Sequence, residues 1–265
     1  MISATMMRIQ FRMTTSKIIR AKKSLGQHWL INQGVLDRIV ESLDVQPHSI
    51  VVEIGSGKGA LTDRLVARTE NIIAIEKDDA LAKELSEKYH GDNHIKIIND
   101  DATKFDPQKY DLPDWSWSLV GNLPYYLTGV FFRKLTESWK PSEAVFMVQY
   151  EVAKRICAKP PDMNLLALAV QLFGTPRIVM KVSPGSFRPM PSVDSAIIQI
   201  TPNKSDQNKN TAILDIAKKA FSHKRKQIHS SISEKRLISA QIAPTARPQE
   251  LKIEDWVRLA ETKEI

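Results

Sequence analysis

Apolar and polar positions follow two alternating rhythms up to about residue 202 and a single rhythm beyond it. Residues 34–43 place Val35, Ile39, Val40 and Leu43 on one helical face, and Pro47 closes that stretch. Ile50 to Ile54 reads as a buried strand, followed by a glycine-rich turn and a helix from about Ala60 to Ala67. Ile72 to Ile75 is a second strand closed by Glu76; a helix over Leu81–Tyr89 and a third strand over Ile95–Ile98 come next. After a proline-containing loop, Leu119-Val120-Gly121 forms a fourth strand that ends in Asn122-Leu123-Pro124-Tyr125. Ala144–Val148 is a fifth strand and Leu165–Phe173 a helix. Ile178–Val182 and Val193–Ile200 are two more strands, and the short proline-rich connection between them calls for an antiparallel pair.

Strands alternating with helices predict an α/β fold, a doubly wound, Rossmann-like parallel sheet with an antiparallel pair at one edge. The polar stretch 202–208 then marks a change, after which the pattern is helical to the end. The expected division is a basic N-terminal extension over 1–21, an α/β domain over 22–202 and a small all-α domain over 203–265.

Composition changes this picture in three places. A length of 265 residues with 42% hydrophobic and 26% charged positions suits a globular protein, and no apolar run approaches the roughly 20 residues of a membrane span. One cysteine, Cys157, excludes an internal disulfide and is compatible with a reducing, cytoplasmic setting; the six histidines show no metal-ligand spacing. The net charge of +8 favours a polyanionic partner. That charge is uneven. No acidic residue precedes Asp37, whereas Arg8, Arg12, Lys17, Arg20, Lys22 and Lys23 do, so the first residues read either as a solvated tail or as a transit peptide.

The candidate chemistry sits at strand ends. Glu53-Ile54-Gly55-Ser56-Gly57-Lys58-Gly59 places glycines between a strand and a helix, where Gly55 and Gly57 let the backbone approach a ligand. Glu76, about 20 residues on, is placed to accept hydrogen bonds from ribose hydroxyls. Both NAD and S-adenosylmethionine carry that ribose, so the pair does not separate a dehydrogenase from a methyltransferase. Asp101, after the third strand, suits an adenine amino group of a cofactor.

The tetrapeptide at Asn122 discriminates. The lone pair of an adenine amino nitrogen is delocalised into the ring, which makes it a poor nucleophile. Acceptors from the Asn122 side chain and the Leu123 carbonyl favour a pyramidal nitrogen, stabilising charge that develops in the transition state. Pro124 stiffens the turn, and Tyr125 offers a ring for stacking. Phe187, between prolines, is expected to cover the other face of a flipped base, with Arg188 beside it for a phosphate. The segment Ala217 to Ser233 reads as helical and carries Lys218, Lys219, Lys224, Arg225 and Lys226. With Lys22 and Lys23 it forms either a stripe along an RNA backbone or a solvated face.

These stretches resemble the rRNA adenine dimethyltransferases of the KsgA type, which modify small-subunit rRNA. The likeness runs from about Lys22 to Glu261. It rests on Leu25-Gly26-Gln27-His28-Trp29-Leu30, Val52 to Gly57, Glu76, Asp101-Ala102, Gly121 to Tyr126, Met147 to Ala153, the Phe187 loop with Pro191 to Ala196, and Ala220 to Lys226. The resemblance implies a seven-stranded methyltransferase sheet with a helical C-terminal RNA-binding domain. It implies S-adenosylmethionine held by His28, Leu30, Gly55, Glu76, Asp101 and Asn122. It also implies two successive methyl transfers to N6 of two adjacent adenosines in a hairpin loop near the 3′ end of the rRNA, by a monomer acting on an immature 30S particle. The chain departs from that family at His28, usually Asn, at Ser56, usually Pro, and at Lys58, usually Leu or similar. Erm methyltransferases, which share the fold but act on large-subunit rRNA, are the second reading; Ala243 to Leu251 resembles the KsgA side. A non-catalytic RNA-binding assembly factor is the third.

Overall fold

The computed structural model describes residues 21–22, 25–204, 207–223 and 226–262. The N-terminal residues 1–20, together with Lys23, Lys224 and Arg225, therefore lie outside the described residues. The strands are β1 (Trp29–Leu30), β2 (Ile50–Ile54), β3 (Asn71–Glu76), β4 (Ile95–Asn99), β5 (Trp117–Asn122), β6 (Glu143–Gln149), β7 (Gly174–Val182), β8 (Phe187–Arg188) and β9 (Ser195–Pro202). The helices are α1 (Gln33–Glu41), α2 (Thr62–Val66), α3 (Asp79–Lys88), α4 (Thr128–Glu137), α5 (Tyr150–Ile156), α6 (Leu165–Phe173), α7 (Gln207–Phe221), α8 (Glu234–Ser239) and α9 (Ile253–Glu261).

Seven strands form one sheet in the order β4-β3-β2-β5-β6-β9-β7. The five from β4 to β6 are parallel, and β9 runs antiparallel to both its neighbours. This is the doubly wound sheet with an antiparallel edge pair that the periodicity predicts. Alternate residues of each central strand feed opposite faces. Val52, Ile54 and Leu119 pack with Phe131, Phe132 and Leu135 of α4, whereas Val51, Ile72 and Val120 pack with Leu36, Ile39 and Leu65 of α1 and α2. Burial on both faces explains why these strands read as continuous apolar runs. Chain order reverses at β2, whose neighbours β3 and β5 lead to opposite edges. Such a switch point leaves a crevice beyond the carboxyl ends of the strands, where ligands bind in open α/β sheets.

Close packing at the switch point constrains one glycine strongly. A Cβ on Gly121 of β5 would meet the Ile54 carbonyl oxygen at 2.5 Å, so β5 lies against β2 only because position 121 has no side chain. Local caps set the helix starts. Asn32 accepts from the Val35 N–H at 3.2 Å, Asp78 accepts from the Ala80 N–H at 3.1 Å, and Asn164 accepts from the Ala167 N–H at 3.1 Å.

Several elements differ from the sequence expectation. Residues 187–188, expected as loop, pair antiparallel with β1, joining Trp29 to Arg188 and Leu30 to Phe187 across sequence-distant segments. Helix α4 contains Thr128, Gly129 and Val130, poor helix formers, yet burial of Phe131, Phe132 and Leu135 imposes the helix. Helix α5 follows β6 with no breaker between them, so no punctuation announces it. Strand β7 begins at Gly174 rather than 178; Pro176 is tolerated because β7 is the edge strand.

The basic segment 217–233 is not one helix. Helix α7 ends at Phe221, whose ring stacks on Trp256 at 5.6 Å, and Ile228 is buried with its N–H donating to the Ala246 carbonyl at 2.8 Å. Those anchors fold the chain back instead of extending it. The C-terminal helices share their core with α6. Ala167, Leu168 and Leu172 pack with Leu214, Ala217, Leu237, Trp256 and Leu259, while Val170 and Phe173 of the same helix face the sheet. The pattern change near residue 203 thus coincides with the end of β9, but α6 belongs to both layers. No helix among the described residues is long and apolar enough to cross a membrane.

Candidate active site

A pocket opens at the carboxyl ends of β2, β3 and β5. Its lining includes Gly55 and Gly57 after β2, Glu76 at the end of β3, Asp101 and Ala102 beyond β4, and Asn122 to Leu127 at the end of β5. The segment from Leu25 to Trp29 covers it. The sheet therefore brings together the glycine turn, Glu76, Asp101 and the Asn122 tetrapeptide.

The glycine-turn side is held by its own main chain. Gly57 has φ +57°, a conformation that favours glycine, and its N–H donates to Glu76 Oε2 at 2.8 Å. The Asp78 N–H donates to Glu76 Oε1 at 2.7 Å. Burial pushes the Glu76 carboxyl above the ordinary range, and these two hydrogen bonds partly offset that rise. Each oxygen keeps a further lone pair for a ligand hydroxyl. Asp101 Oδ1 accepts from the Thr103 N–H at 2.9 Å, and its Oδ2 pairs with Lys77 Nζ at 2.7 Å. Burial works to raise Asp101, but the hydrogen bonds from Lys77 and Thr103 outweigh it and hold the carboxyl at about 2. Beneath the turn, Glu53 accepts from Thr62 Oγ1 at 2.6 Å; burial pushes its carboxyl up to about 7.

The Asn122 side is assembled from distant segments. Asn122 Nδ2 donates to the His28 carbonyl oxygen at 2.8 Å. A carbonyl can only accept, so this contact fixes which end of the amide is which and leaves Oδ1 as a free acceptor. The Leu123 N–H donates to the Met147 carbonyl at 3.2 Å. The Tyr125 hydroxyl lies 2.6 Å from Ser195 Oγ, and burial pushes its pKa up. The His28 ring stacks on Tyr125 at 5.8 Å and 22°, with Nδ1 2.8 Å from the Pro189 carbonyl.

Not every expected site residue is at the pocket. Phe187, expected to clamp a base, is 1% exposed and packs with Leu30, Val35 and Leu36. The pairing of β8 with β1 turns its ring into the core, where it cannot clamp a base. Leu30, expected at the cofactor, is buried in the same cluster opposite Phe187; strand alternation gives the pocket to its neighbour Trp29 instead. Arg188 is exposed. Lys22 pairs with Asp78 at 2.9 Å and Lys218 with Asp215 at 3.0 Å, while Lys219 and Lys226 are exposed.

Sequence reasoning passed over several residues. Asp78 is buried and accepts from Lys22 Nζ and from Gln27 Nε2, at 2.9 and 3.2 Å, tying the covering segment down. Tyr126, 56% exposed, lines the pocket and packs against Gly26. Trp29 also lines the pocket, and its buried Nε1 has no acceptor among the described residues. Tyr126, beside the tetrapeptide, and Trp29, within the Leu25 to Leu30 stretch, carried a signal. Asp78 gains meaning from contacts across the fold. Among the described residues, no group of three or more His, Cys, Asp or Glu is placed to hold a metal ion.

Comparisons with known proteins agree with this geometry. The family model described as "Ribosomal RNA adenine dimethylase" matches residues 18–264. The "Ribosomal RNA small subunit methyltransferase A" of Dehalococcoides mccartyi (strain CBDB1) is 38% identical, over 91% of this chain and 88% of its own length. The protein of the same name from Streptococcus thermophilus (strain CNRZ 1066) is 33% identical, over 91% of each. Among solved structures, a dimethyladenosine transferase from Plasmodium falciparum superposes with a TM-score of 0.72 at 26% identity, covering 88% of this chain and 96% of that one. The 23S rRNA methyltransferase ErmE superposes with a TM-score of 0.73 at 25% identity, covering 88% and 98%. With a strand-end carboxylate facing a glycine turn, an oriented asparagine amide across the pocket and a family match that spans both layers, the chain belongs to the ribosomal RNA adenine dimethylase family.

Proposed function

We propose that this protein dimethylates N6 of adenosine in small-subunit rRNA, using S-adenosylmethionine. The finer reading is two adjacent adenosines in a hairpin loop near the 3′ end, modified by a cytoplasmic monomer on an immature 30S particle. The single observation that carries the chemistry is the fixed amide of Asn122, whose Nδ2 is committed to the His28 carbonyl at 2.8 Å. The residues around the glycine turn suit the cofactor. Glu76 would receive the ribose hydroxyls, Asp101 lies where the adenine amino group would reach, and the indole N–H of Trp29 awaits an acceptor. When bound, S-adenosylmethionine supplies an electrophilic methyl group on a sulfonium.

The protein's own part is orientation and electrostatics. Asn122 Oδ1 and the Leu123 carbonyl accept from the N6 hydrogens, drawing the nitrogen toward a pyramidal shape with its lone pair free. This interaction strengthens as positive charge develops on N6, so it acts on the transition state. No strong general base is needed, because an N6 ammonium is acidic; its proton leaves toward these acceptors or to water. Tyr125, with its hydroxyl tied to Ser195, and the exposed Tyr126 supply aromatic surface for an unstacked base. The covering segment is tied down at Asp78 and Asn122, which fixes the His28 carbonyl that orients the amide.

The fold does not separate the small-subunit reading from the Erm reading, since ErmE itself superposes with a TM-score of 0.73. The sequence relatives favour the first, with 38% identity to a small-subunit enzyme against 25% to ErmE. The test is transfer of labelled methyl groups to immature 30S particles, 50S particles and naked rRNA. Incorporation at N6 of 30S adenosines is the expected result. Label confined to 50S or naked large-subunit rRNA would favour the Erm reading, and no label anywhere would favour the assembly factor.

A further inference from the structure

Trp29 and Lys58 meet beside the glycine turn, on the side of the pocket away from Asp101. Trp29 Nε1 is buried and has no hydrogen-bond acceptor among the described residues. Leaving a buried donor unpaired is costly, so an N–H at a ligand pocket points to a ligand acceptor. The pyrrole edge of that indole faces Gly57. A Cβ built on Gly57 would lie 3.4 Å from Trp29 Cδ1 and 3.7 Å from Nε1, so the glycine turn packs against this edge of the ring. The ammonium of Lys58 sits 4.1 Å from the centroid of the same ring and carries no ion pair among the described residues. A donor and a cation together call for an anionic acceptor.

We infer that Trp29 and Lys58 form a subsite for the carboxylate at the amino-acid end of the cofactor. The inference rests on the reading that this pocket holds S-adenosylmethionine. The other polar positions of the pocket are suited to different groups. Glu76 can only accept, which matches ribose hydroxyls, and Asp101 is likewise an acceptor on the far side of Glu76. The carboxylate is the one anionic group of the cofactor, and the Trp29–Lys58 corner is where a donor and a cation converge. Lys58 also holds the indole plane through its cation–π contact, so the N–H is aimed before the ligand arrives.

Calorimetry of the full chain with S-adenosylhomocysteine and its decarboxylated analogue tests the assignment. Wild type should bind S-adenosylhomocysteine about tenfold or more tightly than the analogue, as expected for a charge-assisted buried hydrogen bond. Trp29→Phe removes the N–H together with the five-membered ring and should erase most of that preference, weakening S-adenosylhomocysteine more than the analogue. Lys58→Met, at an exposed position that does not threaten folding, should weaken S-adenosylhomocysteine about two- to fivefold and lessen its salt dependence. Unchanged S-adenosylhomocysteine affinity in both variants overturns the subsite. Equal losses for both ligands in Trp29→Phe also overturn it, since the N–H would then serve another acceptor. If wild type binds neither ligand, the cofactor reading fails as well, which is a separate result.

Discussion

On the glycine-turn side of the pocket, Glu76 and Asp101 are gripped by N–H groups two residues on, from Asp78 and Thr103, and by Gly57 and Lys77, 19 and 24 residues distant. On the Asn122 side, each side chain is placed by a segment far away in sequence. Asn122 is oriented by His28, 94 residues distant, Tyr125 by Ser195, 70 distant, and His28 by Pro189, 161 distant. A site built from local hydrogen bonds is legible in a short motif and robust to changes elsewhere. A site built from remote contacts exists only once the whole fold has closed. The acceptor half is therefore more vulnerable to substitutions outside it.

The largest effect expected is at Phe187, which holds the β1–β8 ribbon to the core and so supports His28 from below. Phe187→Ala should cost about 3–5 kcal/mol of stability, as truncation of a fully buried aromatic ring does. Urea unfolding measures it. A variant as stable as wild type that has lost methyl transfer would restore the base-clamp role.

Asn122→Ala comes next and sharpens the comparison from the chemical side. It should lower methyl transfer by roughly a hundredfold, about 3 kcal/mol, while S-adenosylhomocysteine still binds. Single-turnover kinetics together with calorimetry separate the two readouts. Loss of cofactor binding equal to the loss in rate would move Asn122 from the acceptor half to the cofactor half.

Glu53 probes the glycine-turn half alone. Burial raises its carboxyl from the ordinary 4.5 to about 7, so the folded state holds that proton more tightly than the unfolded chain does. Its contribution to stability is fully present below about pH 4.5 and is lost as pH rises through 7. Glu53→Gln should therefore gain stability over wild type as pH is raised from 5 to 8, by up to about 3 kcal/mol. Melting curves across that range test it, and a constant difference between the two proteins would remove the buried proton from the account.

The smallest effect concerns the RNA surface. Lys219 on α7 is exposed, whereas Lys218 is engaged by Asp215. Lys219→Ala should flatten the salt dependence of rRNA binding by a slope of roughly 0.7–0.9, the value for one phosphate contact, and Lys218→Ala by less. Binding across a salt series decides, and an unaltered slope in both variants would make this face of α7 merely solvated.

The sequence by itself determined the seven large strands, the glycine turn, the place of Glu76 at the end of the next strand and the place of Asn122 at a strand end. It could do so because apolar periodicity reports burial directly, and because strand ends, turns and caps depend on residues only a few positions apart. Only the tertiary structure decided which side chains face the pocket. Phe187 and Leu30 went to the core because a two-residue ribbon pairs them, Trp29 went to the cavity as the alternate residue of the same strand, and the basic segment bent where Ile228 is buried. The ribbon outcomes depend on contacts between segments more than 100 residues apart, as His28 to Pro189 shows, and the bend on the contact of Ile228 with Ala246. No local pattern encodes a contact of that range; it follows from which surfaces the closed fold presses together.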